Sequence, residues 1–156
     1  MTEPEGTRVV TFPGRGRGVV ANRAFARGAV VLLCTGRVTA ERTRYTIQIG
    51  DETHLDADEP CRCLNHSCDP NGDLVLDERG LPVVVAARAI AAGDEITVDY
   101  ATFETRPGST AGIACACGAA RCRGAILGWD DLPPEERRRL RSRALPYLRD
   151  RPVTPS

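Results

Sequence analysis

The sequence contains no lysine; all 21 of its basic residues are arginine. They are matched by 21 acidic residues, for a formal charge of zero, which excludes a global field that would draw in nucleic acid or an anionic membrane. Any such binding must be local. Long apolar runs are also missing: none approaches the ~18 residues needed to cross a bilayer. The opening MTEPEGTRVV has neither the basic start nor the apolar stretch of a signal peptide. The expectation is a soluble, cytoplasmic protein without a membrane partner. Its seven cysteines are an odd number, and in a reducing compartment such a set is expected to serve as thiols or metal ligands rather than as a disulfide framework. A length of 156 residues, 42% of them hydrophobic, allows one domain with a proper core.

What is present reads mainly as short strands. Residues 8–12 (RVVTF) form one, and GRGRGVVA follows, where glycines at 14, 16 and 18 permit close ligand approach along a backbone-lined groove. AVVLLC (29–34) is an apolar run of strand length. In RYTIQIGDETHLDA, Tyr45, Ile47 and Ile49 alternate with polar residues, and Gly50-Asp51 suits a two-residue hairpin loop. DLVL (73–76), the turn DERG and LPVVVAA give a second hairpin, and EITVDY (95–100) alternates again. Only the end looks helical. Pro133-Pro134-Glu135-Glu136 supplies proline and acids for a first turn, and Leu140 and Ala144 share a face until Pro146. The arginines of that helix read as a solvated face ahead of a nucleic-acid grip. The last residues, RPVTPS, read as a short disordered tail.

CACGAARC sets Cys115, Cys117 and Cys122 in a C-x-C-x4-C cluster, with Gly118 letting the backbone fold so that three sulfurs converge. Three thiolates make most of a tetrahedral zinc site, and a structural site is normally closed by a fourth ligand. Cys34, Cys61, Cys63 and Cys68 are the candidates. Cys34 ends an apolar strand and Cys63 sits beside Leu64, so both read as small buried hydrophobes. Cys68, in the polar loop CLNHSCDPN, is the better ligand on this reading.

Four stretches together resemble the SET-domain methyltransferases. NHSCDPN resembles the first signature of that family and GDEITVDY the second. CACGAARCRG resembles the post-SET zinc segment, and GRGRGVVANRAFARGAVV is similar to the N-terminal glycine motif. They fall in family order. The resemblance implies a mainly β fold of several small sheets, with a C-terminal pseudoknot, a post-SET zinc segment and a C-terminal helix. The implied divisions are 8–104, 105–130 and 131–156. The implied cofactors are S-adenosylmethionine and zinc, and the implied acceptor is a protein lysine entering from the face opposite the cofactor.

By that resemblance Gly16, Arg17 and Gly18 hold S-adenosylmethionine through their backbone together with Asn65 and His66, and Cys68 joins Cys115, Cys117 and Cys122 on zinc. Tyr100 takes the position of the catalytic tyrosine, close to both cofactor and acceptor. Tyr45 is expected to line the lysine channel, the alternative being a half-buried sheet tyrosine. Trp129 is expected to cover the adenine, the alternative being a local core anchor. His66 is expected to contact cofactor through its backbone, with its side chain in a structural hydrogen bond, rather than to act as a base.

The strand VVLLCTG departs from the family pattern, with Cys34 where a tyrosine is usual. The departure leaves the pocket shape and the acceptor open. Two further readings therefore stand beside a protein-lysine methyltransferase: the same fold acting on a small-molecule acceptor, and a catalytically silent zinc-stabilised binding module.

Overall fold

The computed structural model describes residues 6–108 and 112–152. The first residues of the opening stretch and the last four of the tail lie outside them, as do three residues of the 105–130 segment. Among the described residues no helix is long and apolar enough to cross a membrane.

Among the described residues ten short strands form three small sheets. β1 (Thr7–Phe12) and β2 (Gly16–Ala21) are an antiparallel hairpin in register from Thr7↔Ala21 to Phe12↔Gly16. Its three-residue connection turns on Gly14, at φ 74°, where a Cβ would be strained. β10 (Glu95–Val98) runs antiparallel to β2 on one side and parallel to the two-residue β7 (Asn65–His66) on the other, giving the order β1-β2-β10-β7. The C-terminal signature is thus inserted between two segments that precede it in the chain.

The second sheet carries β9 (Pro82–Ala86) between β3 (Val30–Leu33) and β8 (Gly72–Leu76). The third carries β6 (His54–Ala57) between β4 (Gly36–Thr39) and β5 (Thr46–Gln48). The β5–β6 register continues to Ile49, whose N–H donates to Thr53 O at 2.9 Å. The connection is therefore Gly50–Glu52, one residue longer than the two-residue loop expected, because Gly50 N also reaches Thr53 O at 3.2 Å.

The sheets enclose one core in which Val19, Leu55, Val84, Ile96 and Val98 are fully buried. At roughly 1.5–3 kcal/mol for each buried aliphatic side chain, this junction holds the sheets together. A second cluster belongs to the C-terminus: Ala101, Trp129, Leu132, Leu140, Ala144 and Leu148. α1 (Pro134–Leu140) starts on Pro134 with Glu135 and Glu136 in its first turn, and ends before the expected stop at Pro146. The chain turns at 141–144 and restarts as α2 (Pro146–Arg149), with Leu145 held extended ahead of the proline. The arginines here are largely occupied. Arg139 pairs with Glu136, Arg143 with Asp73 and Arg151 with Asp130, while Arg137 donates to Trp129 O and Asp130 O.

One cysteine expectation is overturned. Cys34 and Cys61 are joined by a disulfide across 27 residues, so Cys34 is neither a free thiol nor an isolated buried hydrophobe. The strand end after β3 and the turn before β7 bring the two together, and no local spacing announces it. Cys63 remains a buried free thiol.

Gly36 gives a direct test of the third sheet. It sits at φ 150°, and a Cβ there would lie 2.1 Å from the carbonyl oxygen of Asp56 in β6. Gly36→Ala should therefore cost roughly 2–4 kcal/mol, read by urea unfolding. Gly28→Ala, at φ 85° with nothing within 4 Å of its Cβ, should cost only about 1 kcal/mol.

Candidate active site and metal centre

The parallel pairing of β7 with β10, Thr97↔Asn65 and Val98↔His66, sets the two signatures side by side. Asn65 Nδ2 donates to Arg17 O at 2.9 Å and to Glu95 Oε2 at 2.8 Å. One side chain thereby ties the glycine hairpin, β7 and β10. Gly18 makes that approach possible, since a Cβ there would meet Phe12, Glu95 Oε2 and Asn65 Nδ2 at 2.5, 2.6 and 2.9 Å. Its missing side chain makes room for Asn65 itself, whereas at Gly16 a Cβ would meet nothing within 4 Å. The Arg17 side chain turns away to Glu59.

His66 is buried, and the Tyr100 backbone N–H donates to its Nδ1 at 3.1 Å. The ring proton is therefore on Nε2, which faces Cys68 Sγ at 3.4 Å. Burial lowers the His66 pKa, with Asp99 opposing and Arg123 adding to the effect, so the ring is a neutral structural link. It is not placed as a base.

Tyr100 follows β10 in a short 3-10 turn capped by Asp99, whose carboxylate accepts from Ala101 N at 3.0 Å. Its hydroxyl donates to Leu64 O at 2.7 Å. Burial pushes the phenol well above its ordinary range, and Glu104 and Glu95 add to the shift. Tyr100 is therefore a neutral phenol whose proton is engaged and whose oxygen lone pairs remain. It lines a pocket together with Tyr45, Leu64, Phe103, Glu104 and Cys61. Tyr45, 40% exposed, stands at this pocket beneath the Arg62 and Arg44 guanidiniums, 4.5 and 5.1 Å from its ring centroid. Near the strand end where a tyrosine was expected, the chain has instead the disulfide whose Cys61 half reaches the pocket wall.

The metal centre is assembled from the central loop, through Cys68, and the later cysteine segment at 115–122. The sulfurs of Cys68, Cys115, Cys117 and Cys122 all lie within 4.8 Å of one another. A tetrahedron with metal–sulfur bonds of about 2.3 Å spaces its sulfurs about 3.8 Å apart, and Cys68 and Cys115 stand at 3.8 Å. The donor set therefore fits zinc. Gly118, at φ 77°, makes the reversal inside the cluster, and Cys115 N bonds Gly124 O at 3.0 Å to close the loop. Burial pushes the Cys68 thiol up to about 12, so it joins a cation by exchanging its proton for the metal.

Sequence reasoning missed Arg123, one residue past the last cysteine. Its guanidinium grips Asp99 with two bonds of 3.0 and 2.6 Å, its Nε reaches Glu136 at 3.2 Å, and its backbone N–H points at Cys68 Sγ at 3.4 Å. Both partners are buried, with side chains 7% and 1% exposed. The signal was slight: an arginine beside a ligand cysteine, and an aspartate just before the signature tyrosine. Trp129 corrects another expectation. Only 2% exposed and packed in the second core cluster with Arg137 over its ring at 5.7 Å, it is a core anchor with no face open to an adenine.

The SET domain family model matches residues 16–101. A "Histone-lysine N-methyltransferase, H3 lysine-4 specific" of Chaetomium globosum is 41% identical over 86 residues, which is 51% of this chain and 8% of that protein. "Histone-lysine N-methyltransferase ash1" of Drosophila melanogaster is 32% identical over 134 residues, 73% of this chain and 6% of that protein. The chain thus spans less than a tenth of the length of these curated relatives. Among solved structures, KRYPTONITE in complex with mCHG DNA and SAH superposes with a TM-score of 0.61 at 28% identity, covering 77% of this chain and 28% of that one. A second KRYPTONITE complex, with mCHH DNA, H3(1-15) peptide and SAH, gives 0.58 at 30% identity over 77% and 29%.

Arg123→Met should leave the Asp99 carboxylate buried without its partner, at a cost of about 3–5 kcal/mol in urea unfolding. The same variant should release zinc to a chromogenic chelator faster than the parent, because the arginine's own segment carries the metal loop. Parental stability and parental zinc release together would detach this ion pair from the metal centre.

Proposed function

From membership of the SET domain family, to which this chain belongs by the match over residues 16–101, we propose that the protein is an S-adenosylmethionine-dependent methyltransferase whose acceptor is the ε-amine of a protein lysine. The observation that carries the reading is the convergence of Asn65, His66 and Tyr100 at the β7–β10 pairing, next to a pocket that Tyr100 and Tyr45 line. The SAH in the titles of the two KRYPTONITE complexes supports the same cofactor here. We take residues 8–104 as the SET domain, 105–130 as the zinc-binding segment and 131–156 as the C-terminal helix and tail.

Bound S-adenosylmethionine supplies a methyl group already activated by a sulfonium. The residues proposed to hold it are the Gly16–Gly18 backbone, Asn65 and His66. Asn65 is fixed by hydrogen bonds from its Nδ2 to Arg17 O and Glu95 Oε2, which orient its side chain between β2 and β10. Tyr45 and Tyr100 line the pocket proposed for the acceptor side chain. The Tyr100 hydroxyl, whose O–H donates to Leu64 O, offers its oxygen lone pairs to the positive charge that passes from methyl donor to acceptor amine. It has no proton-accepting duty: burial raises its pKa, so the phenol stays neutral throughout the range in which a lysine amine loses its proton. The roles of Cys68, Cys115, Cys117 and Cys122 are structural, holding the C-terminal segment against the β7 loop.

The acceptor in the relatives' names is a histone lysine, and no feature of the pocket favours a small-molecule acceptor. The pairing of the C-terminal arginines with carboxylates and carbonyls supports no nucleic-acid grip by that helix. A cytoplasmic location is proposed on the four cysteines of the metal cluster, which must be reduced to bind; the Cys34–Cys61 disulfide, a bond rare in that compartment, argues against it.

With methyl-labelled S-adenosylmethionine and lysine peptides, Tyr100→Phe should lower turnover roughly tenfold to a thousandfold, about 1.4–4 kcal/mol, with cofactor affinity nearly unchanged. Rate should rise with pH in parent and variant alike as acceptor amine is deprotonated. Parental turnover in the variant would take Tyr100 out of the mechanism.

A further inference from the structure

The pocket beside Tyr100 has an uneven charge. Arg42, Arg44 and Arg62 line it, and Glu104 is the one carboxylate among its lining residues. Glu104 is already engaged, accepting from Arg42 at 2.7 Å, with a side chain only 14% exposed. Arg62 donates to Ala57 O at 2.9 Å and leans on Asp56 at 3.4 Å, leaving part of its guanidinium at the rim. Arg44 is exposed and makes no ion pair among the described residues; its contact is with the Tyr45 ring. Two guanidiniums are thus held over the same exposed aromatic at the pocket entrance, one of them without a counterion.

We propose that this rim selects an acidic protein segment: the acceptor lysine enters beside Tyr45 with aspartate or glutamate as its close sequence neighbours, bound by Arg44 and Arg62. The inference rests on the protein-lysine methyltransferase reading above and narrows its substrate class. A basic flank, such as that of a histone tail, brings like charge against both guanidiniums, whereas a carboxylate supplies the counterion that Arg44 lacks. The Tyr45 ring face draws both cations toward the pocket entrance, at 5.1 and 4.5 Å from its centroid. Because the chain contains no lysine, labelled methyl found on protein reports the added acceptor alone.

The test uses the full chain and matched peptides carrying one lysine flanked by acidic, neutral or arginine residues. Transfer from methyl-labelled S-adenosylmethionine gives kcat/KM, and anisotropy of the fluorescein-labelled peptides gives binding without turnover. The acidic peptide should be preferred over the arginine-flanked one by about tenfold, the combined worth of two exposed ion pairs, and the preference should shrink at high ionic strength. Arg44→Glu should lower kcat/KM for the acidic peptide and raise it for the arginine-flanked one, without changing cofactor affinity. Equal or better use of the arginine-flanked peptide by the parent overturns the proposal while leaving lysine methylation intact. An acidic preference in binding with no transfer to any peptide sinks the methyltransferase reading and leaves the rim as an acidic-peptide site. Displacement of the acidic peptide by a duplex oligonucleotide that binds tighter than every peptide, and loses its hold in Arg44→Glu, makes the rim a phosphate site and overturns the proposal.

Discussion

The Asp99–Arg123 ion pair is where the signature turn, the metal loop and the C-terminal helix meet. Asp99 closes β10, caps the turn that carries Tyr100 and lies 3.7 Å from the His66 ring. Arg123 comes from the cysteine loop and reaches on to Glu136 in α1. Both charges are withdrawn from water, so each depends on the other to offset a desolvation penalty of several kcal/mol. A pair of this kind adds little net stability over an apolar replacement, and what it supplies here is position. It fixes the metal loop, the signature turn and the C-terminal helix in one register.

Around that pair the labour is divided by element. β2, β7 and β10 hold the proposed cofactor residues through backbone pairing and the amide of Asn65. The third sheet and the turn before β7 bring Tyr45, Arg62 and Cys61 to the other wall of the pocket. Tyr100 stands between them, with its backbone bonded to His66 and its hydroxyl to Leu64. The phenol is anchored at both ends within one short segment, which limits its motion without filling its lone pairs.

Local pattern was enough for the strands and hairpins, since alternation and turn residues act over a few positions. β8 and β9 lie where DLVL and LPVVVAA put them, while the β5–β6 turn gained a residue from the hydrogen bonds at Thr53. The close spacing of Cys115, Cys117 and Cys122 was readable for the same reason, and the polar loop made Cys68 the candidate that the geometry joins to them. What escaped is long-range. The Cys34–Cys61 bond spans 27 residues and depends on how the second and third sheets meet. Arg123 acquires its meaning only when Asp99, 24 positions earlier, is folded against it. Trp129 was expected over the adenine, yet its environment is set by the helices that follow it.

Tyr147 belongs to both hydrophobic clusters, and its hydroxyl donates to the carbonyl of Phe103, a wall of the pocket. Leu145 N–H adds a bond of 2.8 Å to Thr102 O. Residues 131–152 form a C-terminal cap spliced onto the residues that follow Tyr100. Partial opening of the cap withdraws support from Phe103 and disturbs the pocket with it. The two clusters then share a single cooperative unit, in which the integrity of the pocket is set by the least stable of its distant supports.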